Sequence, residues 1–286
     1  MLGSGLDRLP QSRHTVSEFV YTDAPLVELI AEVFWQTIAL EVVPNAAVDP
    51  AFAGLSPRVQ SEASERGLAT VESTVPFGVA IELLAGKPTV RFRRSPDQWP
   101  LMQLGPGVLV CNAVPPYQGW STFRAFVADC VQILEKCWPL PDPASVVRLR
   151  LRYLNAFTEK HGYSSDADFL GNSLRAGSGV DSQVVSRFST KHGDVHISTQ
   201  TTFPVDAMPG SRAVVNMIPG RSRGFPAYVA DLSVETVAGE PFGTPADSLP
   251  WFDQAHALLS SLFFSLTTTR LQESFGDRIA IAGAAE

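Results

Sequence analysis

VRFRRSPDQWPLMQLGPGVLVCNAVPPYQGWSTFRAFVADCVQILEKCW, residues 90–138, decides the fold. Apolar and polar residues alternate through its first part, the pattern of half-buried strands over residues 89–94, 101–104 and 108–114. Gly105-Pro106-Gly107 supplies a tight turn between the last two, since proline presets one turn position and glycine tolerates the left-handed one. After Gly119 the period changes to 3.6. Phe123, Phe126, Val127, Cys130, Leu134 and Cys137 then form one stripe, opposed by Arg124, Asp129, Gln132, Glu135 and Lys136. That predicts a helix over 120–138 with one wet face, ended by Pro139 and Pro141. A meander followed by one long helix buries its apolar side by laying the helix across the sheet.

Working outward, the same order of elements occurs twice. Upstream, residues 25–38 read as a half-buried strand, 55–68 as a short helix with Ser56 as N-cap and Pro57 at N1, and 79–84 as a strand. Downstream, VVRLRLRYLNAF (146–157) opens a second unit, and 165–174 reads as a helix capped by Ser165. Strands are expected at 182–190, 195–203, 212–218 and 227–237, the first two joined by a Lys191-His192-Gly193-Asp194 turn. A helix over 250–275, with Asp247 or Ser248 as N-cap, closes the unit. The fold class is therefore α+β, in two similar halves, each an antiparallel β-sheet with a long helix packed across it. The expected boundaries are a flexible arm (1–23), a first unit (24–142), a second unit packed on it (143–277) and a tail (278–286). The closing helix carries Leu258, Leu259, Leu262, Phe263, Phe264 and Leu266 and has no charge between Asp253 and Arg270. It should be central to the fold or lie in a subunit interface.

With 286 residues, 45% hydrophobic and 18% charged, the chain has ample material for a core and is not a disordered composition. Its formal charge of −7 argues against a surface wholly built for nucleic acid, although a local basic groove stays open. Cys111, Cys130 and Cys137 lack metal spacing, and the last two sit about 10 Å apart along a helix, too far for a disulfide. Reduced buried thiols, the absence of an apolar leader in the first residues and the shortness of the uncharged run 254–269 point to a cytoplasmic protein without a membrane partner.

At PLVELIAEVFW (25–35), at residues 90–127 of the opening stretch, at VVRLRLRYLNAF and at AHALLSSLFFSLTTTRLQESFG (255–276) the chain resembles a known family. It is a sporadically distributed bacterial family of uncharacterised, hypothetical proteins. That family similarly shows a PLVE-like opening strand, an aromatic-Gly-Trp helix entry and an Arg-x-x-Leu-Arg-Tyr-Asn-like strand. The resemblance covers most of residues 25–276. It transfers no catalytic residue, and the family's scattered distribution implies accessory genes, where defence and toxin-control operons are common.

Arg148, Arg150 and Arg152 share one side of their strand, and Arg91 and Arg93 one side of theirs. Brought together, they would line a patch suited to phosphate or carboxylate, because guanidinium donates in pairs. Glu28 and Glu32 share a side of the opening strand, and cross-strand pairing would neutralise the patch. Arg221 and Arg223 in the loop 219–224 could clasp an anion but lack a nucleotide-loop pattern, so a solvated hairpin tip is expected. His192 and His196 flank Asp194 without a third ligand at a telling spacing, so no metal is expected. His256 reads as a hydrogen-bonded core or interface histidine, and Cys111 as a core thiol. Trp120, Phe123, Phe126 and Trp138 are more economically core than the lining of a ligand cavity. Nucleophile-elbow, Walker A and dinucleotide-binding glycine motifs are absent. The reading is a non-enzymatic binding or adaptor protein without cofactor. Its partner would be another protein, and it would self-associate through its closing helix or a sheet edge. Nucleic-acid or nucleotide binding on the arginine face is the first alternative, and small-molecule binding or catalysis between helix and sheet the second.

Overall fold

β2 (Leu26–Trp35) and β9 (Val146–Phe157) lie antiparallel at the centre of a nine-stranded sheet. The computed structural model describes residues 19–176, 187, 195–237 and 242–281. Outward from β2 the sheet continues through β8 (Val108–Ala113), β7 (Leu101–Gly105), β6 (Val90–Arg93) and β5 (Thr70–Ser73). Outward from β9 it continues through β12 (Phe225–Thr236), β11 (Ser211–Ser222) and β10 (Thr199–Pro204). Every neighbouring pair is antiparallel. Two short ladders accompany the sheet, β1 (Phe19–Tyr21) with β13 (Arg278–Ala280) and β3 (Ile38–Ala39) with β4 (Ala47–Val48).

The apolar alternates of the strands face one way and meet the helices. Leu29, Ala31 and Val33 of β2, Leu149, Leu151 and Phe157 of β9 and Leu109 and Cys111 of β8 join one core with α1 (Phe52–Glu65), α2 (Trp120–Cys137), α3 (Asp166–Asn172) and α4 (Ser248–Leu266). The stripe read for α2 is the face that buries, Phe123, Val127, Cys130 and Leu134 being almost inaccessible. The three cysteines are free and buried, and burial, with Cys111 alongside, pushes the Cys130 thiol well up. Among the described residues no helix is long and apolar enough to cross a membrane.

Several boundaries differ from the sequence reading, each for a local reason. The first helix starts at Phe52, not at Ser56, and Pro57 is its sixth residue, not its first, so it withholds the N–H that would bond to Ala53 O. Its start is set by Asp49, whose Oδ1 accepts from the Ala51 N–H (2.9 Å). The other oxygen of Asp49 accepts from Trp35 Nε1 (2.9 Å) and Gly107 N (2.8 Å), so one buried carboxylate ties the end of β2 to the β7–β8 turn. Gly107 is required there: its φ is +74°, and an added Cβ would fall 2.5 Å from Thr37 Cγ2. Residues 81–84 form a single 3₁₀ turn, not a strand, between the left-handed Gly78 and Gly86, while the pairing strand is β5. The closing helix breaks at Thr267 and Thr268. Thr267 Oγ1 returns its hydrogen bond to Phe263 O (3.0 Å), and Thr268 caps a separate short α5 (Thr269–Glu273). Asp247 stands at the N-cap position of α4 as expected, but its side chain serves the 3₁₀ turn before the helix, accepting from Thr244 N at 2.8 Å. The end of the presumed arm and the start of the presumed tail are ordered together as the β1–β13 ladder. Ser165 caps α3 as expected. The expected strand at 182–190, apart from Arg187, and the turn at 191–194 fall outside the described residues.

Candidate binding face

The other alternates of the same strands point away from the helices. Across the sheet this second face runs Glu72, then Arg91 and Arg93, Gln103, Asn112 and Val110, then Glu28, Ile30, Glu32 and Phe34. It continues with Arg148, Arg150 and Arg152, then Asp231, Ser233 and Glu235, and finally Arg212 and Val214. Ile30, Phe34, Val108 and Val110 form a small apolar cluster in the middle, flanked by Val147 and Leu154. All five arginines read from the strands therefore share one face. Arg91 and Arg93 sit four strands from Arg148, Arg150 and Arg152, about 19 Å at ordinary strand spacing.

Most of that positive charge is already matched. Arg150 grips Glu32 through two contacts, Nη2 to Oε1 being 2.7 Å, and Arg152 holds Asp231 at 2.6 Å. Arg212 holds Glu235 at 2.6 Å, and Arg93 lies 3.6 Å from Glu72 with its guanidinium over the Trp99 ring. Glu28 forms no ion pair among the described residues. Instead Arg91 Nε donates to Gln103 Oε1 (2.9 Å), Gln103 Nε2 to Asn112 Oδ1 (2.7 Å), and Asn112 Nδ2 to Glu28 Oε1 (2.7 Å). That chain of amides joins a cation to an anion across β6, β7, β8 and β2, and every bond in it points the same way. Expected pairing is thus present for Glu32 and replaced by a relay for Glu28.

Arg148 is the exception. Its guanidinium rests 3.9 Å from the Phe34 ring centre, with neither hydrogen bond nor ion pair among the described residues. Burial, and next the charge of Arg150, hold its pKa below the usual arginine value. Arg221 and Arg223 are not part of the face's arginine cluster. They lie at the β11–β12 turn, where Arg221 donates to Gly224 O and Arg223 takes a φ of +49°. Sequence reading missed Asp231, Glu235, Arg212, Gln103 and Asn112. The i, i+4 spacing of Asp231 and Glu235 puts both on one side of a strand and could have flagged them.

Other polar clusters sit on the helix side. His256 Nδ1 lies 2.6 Å from Tyr153 Oη, and its ring stacks on Trp120 at 4.4 Å. Trp120 Nε1 and Arg124 both donate to Asp253, tying α2 to α4. Glu62 of α1 accepts from Lys136 of α2 and from Arg66, and these bonds hold its carboxyl below the usual range. His161 Nδ1 accepts from Thr158 N (3.0 Å), so the proton sits on Nε2, which donates to Asp23 O (3.0 Å). Burial lowers its pKa. Asp166, buried, accepts from Tyr163 Oη (2.7 Å) and Ile197 N (2.9 Å), and burial with that bond raises the tyrosine to about 12. His196 is exposed, 3.6 Å from Asp166, and His192 lies outside the described residues. Trp120, Phe123, Phe126 and Trp138 belong to or pack on the core. Two surface hollows, of about 570 and 270 Å³, lie respectively on the outer side of α1 (Pro57, Gln60, Ser64) and beside Trp138, Leu140 and Pro245.

No family model, no curated protein and no solved structure matches this chain.

Proposed function

We propose that the protein is a non-enzymatic binding or adaptor protein whose partner is another protein, docked on the second face of the sheet. The carrying observation is that face itself: ordered ion pairs set around a small buried apolar cluster, with Arg212 and Ile218 exposed and Arg148 and Val214 half-buried beside them. Paired charges around an apolar centre suit a protein surface, since they enforce register while costing little further desolvation. A nucleic-acid surface would instead keep its arginines free for successive phosphates. The same reading includes an internal repeat. β2, α1, β6, β7, β8 and α2 correspond in order and in sheet position to β9, α3, β10, β11, β12 and α4. It also includes the family resemblance, and with it a defence or toxin-control setting.

Self-association through α4 has less behind it. Past its first turn the most exposed residues of that helix are Gln254, Ala257, Ser261 and Ser265, while Leu258, Leu262, Phe263, Phe264 and Leu266 are half-buried. Photo-crosslinking tests the proposal. A photoreactive residue at Val214 should capture one protein reproducibly in the native host, while the same group at Ser261 should not. Capture from Ser261 alone would move the interface to the helices, and capture from neither would end the reading.

A further inference from the structure

Arg148 is the arginine of the second face that has neither ion pair nor hydrogen bond among the described residues. We propose that its guanidinium receives a single carboxylate from an acidic segment of the partner protein. This rests on the protein-binding reading above and names the chemistry of its anchor.

The argument is one of local balance and geometry. Three arginines crowd the end of the face formed by β9, β12 and β11: Arg148, Arg150 and Arg212. Two carboxylates stand among them, Glu32 and Glu235, and both are occupied, by Arg150 and Arg212 respectively. Elsewhere on the face Arg152 has Asp231, Arg93 has Glu72, and Arg91 reaches Glu28 through Gln103 and Asn112. One positive charge is left over, and it sits on a partly buried group that the strand β9 and the Phe34 ring hold in place. A ring platform keeps the guanidinium plane ordered and leaves its N–H edge free to donate in pairs. Ordering cost has been met in the folded chain, so a carboxylate arriving there gains the bond without freezing a loose side chain.

The surroundings select the kind of anion. Glu32 and Glu235 lie within the same cluster and leave a surplus of one positive charge there, which matches one anion and not a chain of closely spaced phosphates. One carboxylate set between uncharged residues matches that surplus, and the half-buried Val147 beside Arg148 offers apolar contact to its neighbours. The ligand class is therefore an acidic side chain in an otherwise neutral peptide segment.

Arginine Nε–Hε resonances of the full chain provide the test. The probe is a blocked Ala-Glu-Ala peptide, with its glutamine analogue and a short single-stranded DNA as the other arms. The glutamate peptide should shift the Arg148 signal saturably, and the glutamine analogue should not. Arg148→Gln should weaken binding at least ~10-fold, the loss expected for a charge-assisted pair. Arg221→Gln should leave it unchanged. If Arg148→Gln fails to fold, Phe34→Leu removes the platform instead and should weaken the same titration. Equal shifts from glutamate and glutamine, or shifts centred on Arg221, would overturn the assignment. So would DNA binding that disappears with Arg148→Gln. Crosslinking from Val214 that survives a failed peptide titration would keep the protein-partner reading and remove only the Arg148 anchor.

Discussion

The two sides of β2 and β9 are made by the same backbone and solved in opposite ways. Toward the helices, Leu29, Val33, Leu149 and Leu151 are packed among other apolar groups and are essentially inaccessible. On the reverse side Glu32 faces Arg150, and Arg152 reaches Asp231 on the next strand. The first side gains from removing apolar surface from water and does not depend on which apolar neighbour is met. The second gains only where each charge finds its own counterpart, and therefore encodes register and strand order. A one-residue slip of β9 would place leucines on the polar face and arginines in the core.

Substitutions on either side sharpen this contrast. Leu151→Ala should cost about 2–5 kcal/mol in chemical denaturation, the range for a buried leucine replaced by a cavity. Glu32→Gln should cost about 2–3 kcal/mol, below the full figure for a buried pair because Arg150 retains some solvent. Replacing both Glu32 and Arg150 with leucine should restore most of that loss. If the double variant is as unstable as Glu32→Gln, the pair contributes more than charge matching. Acid should act through His161. Its folded pKa lies below the unfolded one, so its contribution is full above the ordinary histidine value of about 6.5. Stability should then fall as the pH drops through that value toward the folded pKa. His161→Gln should flatten the melting temperature across that window. Smallest of all, Asp253→Asn, which breaks a half-exposed link between α2 and α4, should change stability by less than ~1 kcal/mol.

Much of this was legible in the chain. β9 begins and ends where the alternation of VVRLRLRYLNAF does, and α2 occupies the span its stripe and Pro139 define. The shared face of Arg148, Arg150 and Arg152 follows from period two alone. Their counterparts do not. Asp231 lies 79 residues from Arg152, and Gln103 and Asn112 matter only because β7 and β8 come between β6 and β2. Strand order is a long-range outcome that local pattern does not carry. β5 was hidden because four residues hold too little alternation to stand out, and residues 81–84 imitate a strand in composition while Gly78 and Gly86 fold them into a turn. The break in the closing helix needed Thr267 to bond back to its own preceding turn.

The pairing of β1 with β13 has a mechanical meaning. Phe19 stands opposite Ala280, so both strands leave the ladder at the same end. Force applied between those two residues would load the cross-strand bonds one after another, as in a zipper, and not all together in shear. Immobilising the protein by both ends would therefore peel this small ladder open early, while the nine-stranded sheet, whose central strands join residues more than a hundred positions apart, still carried its load.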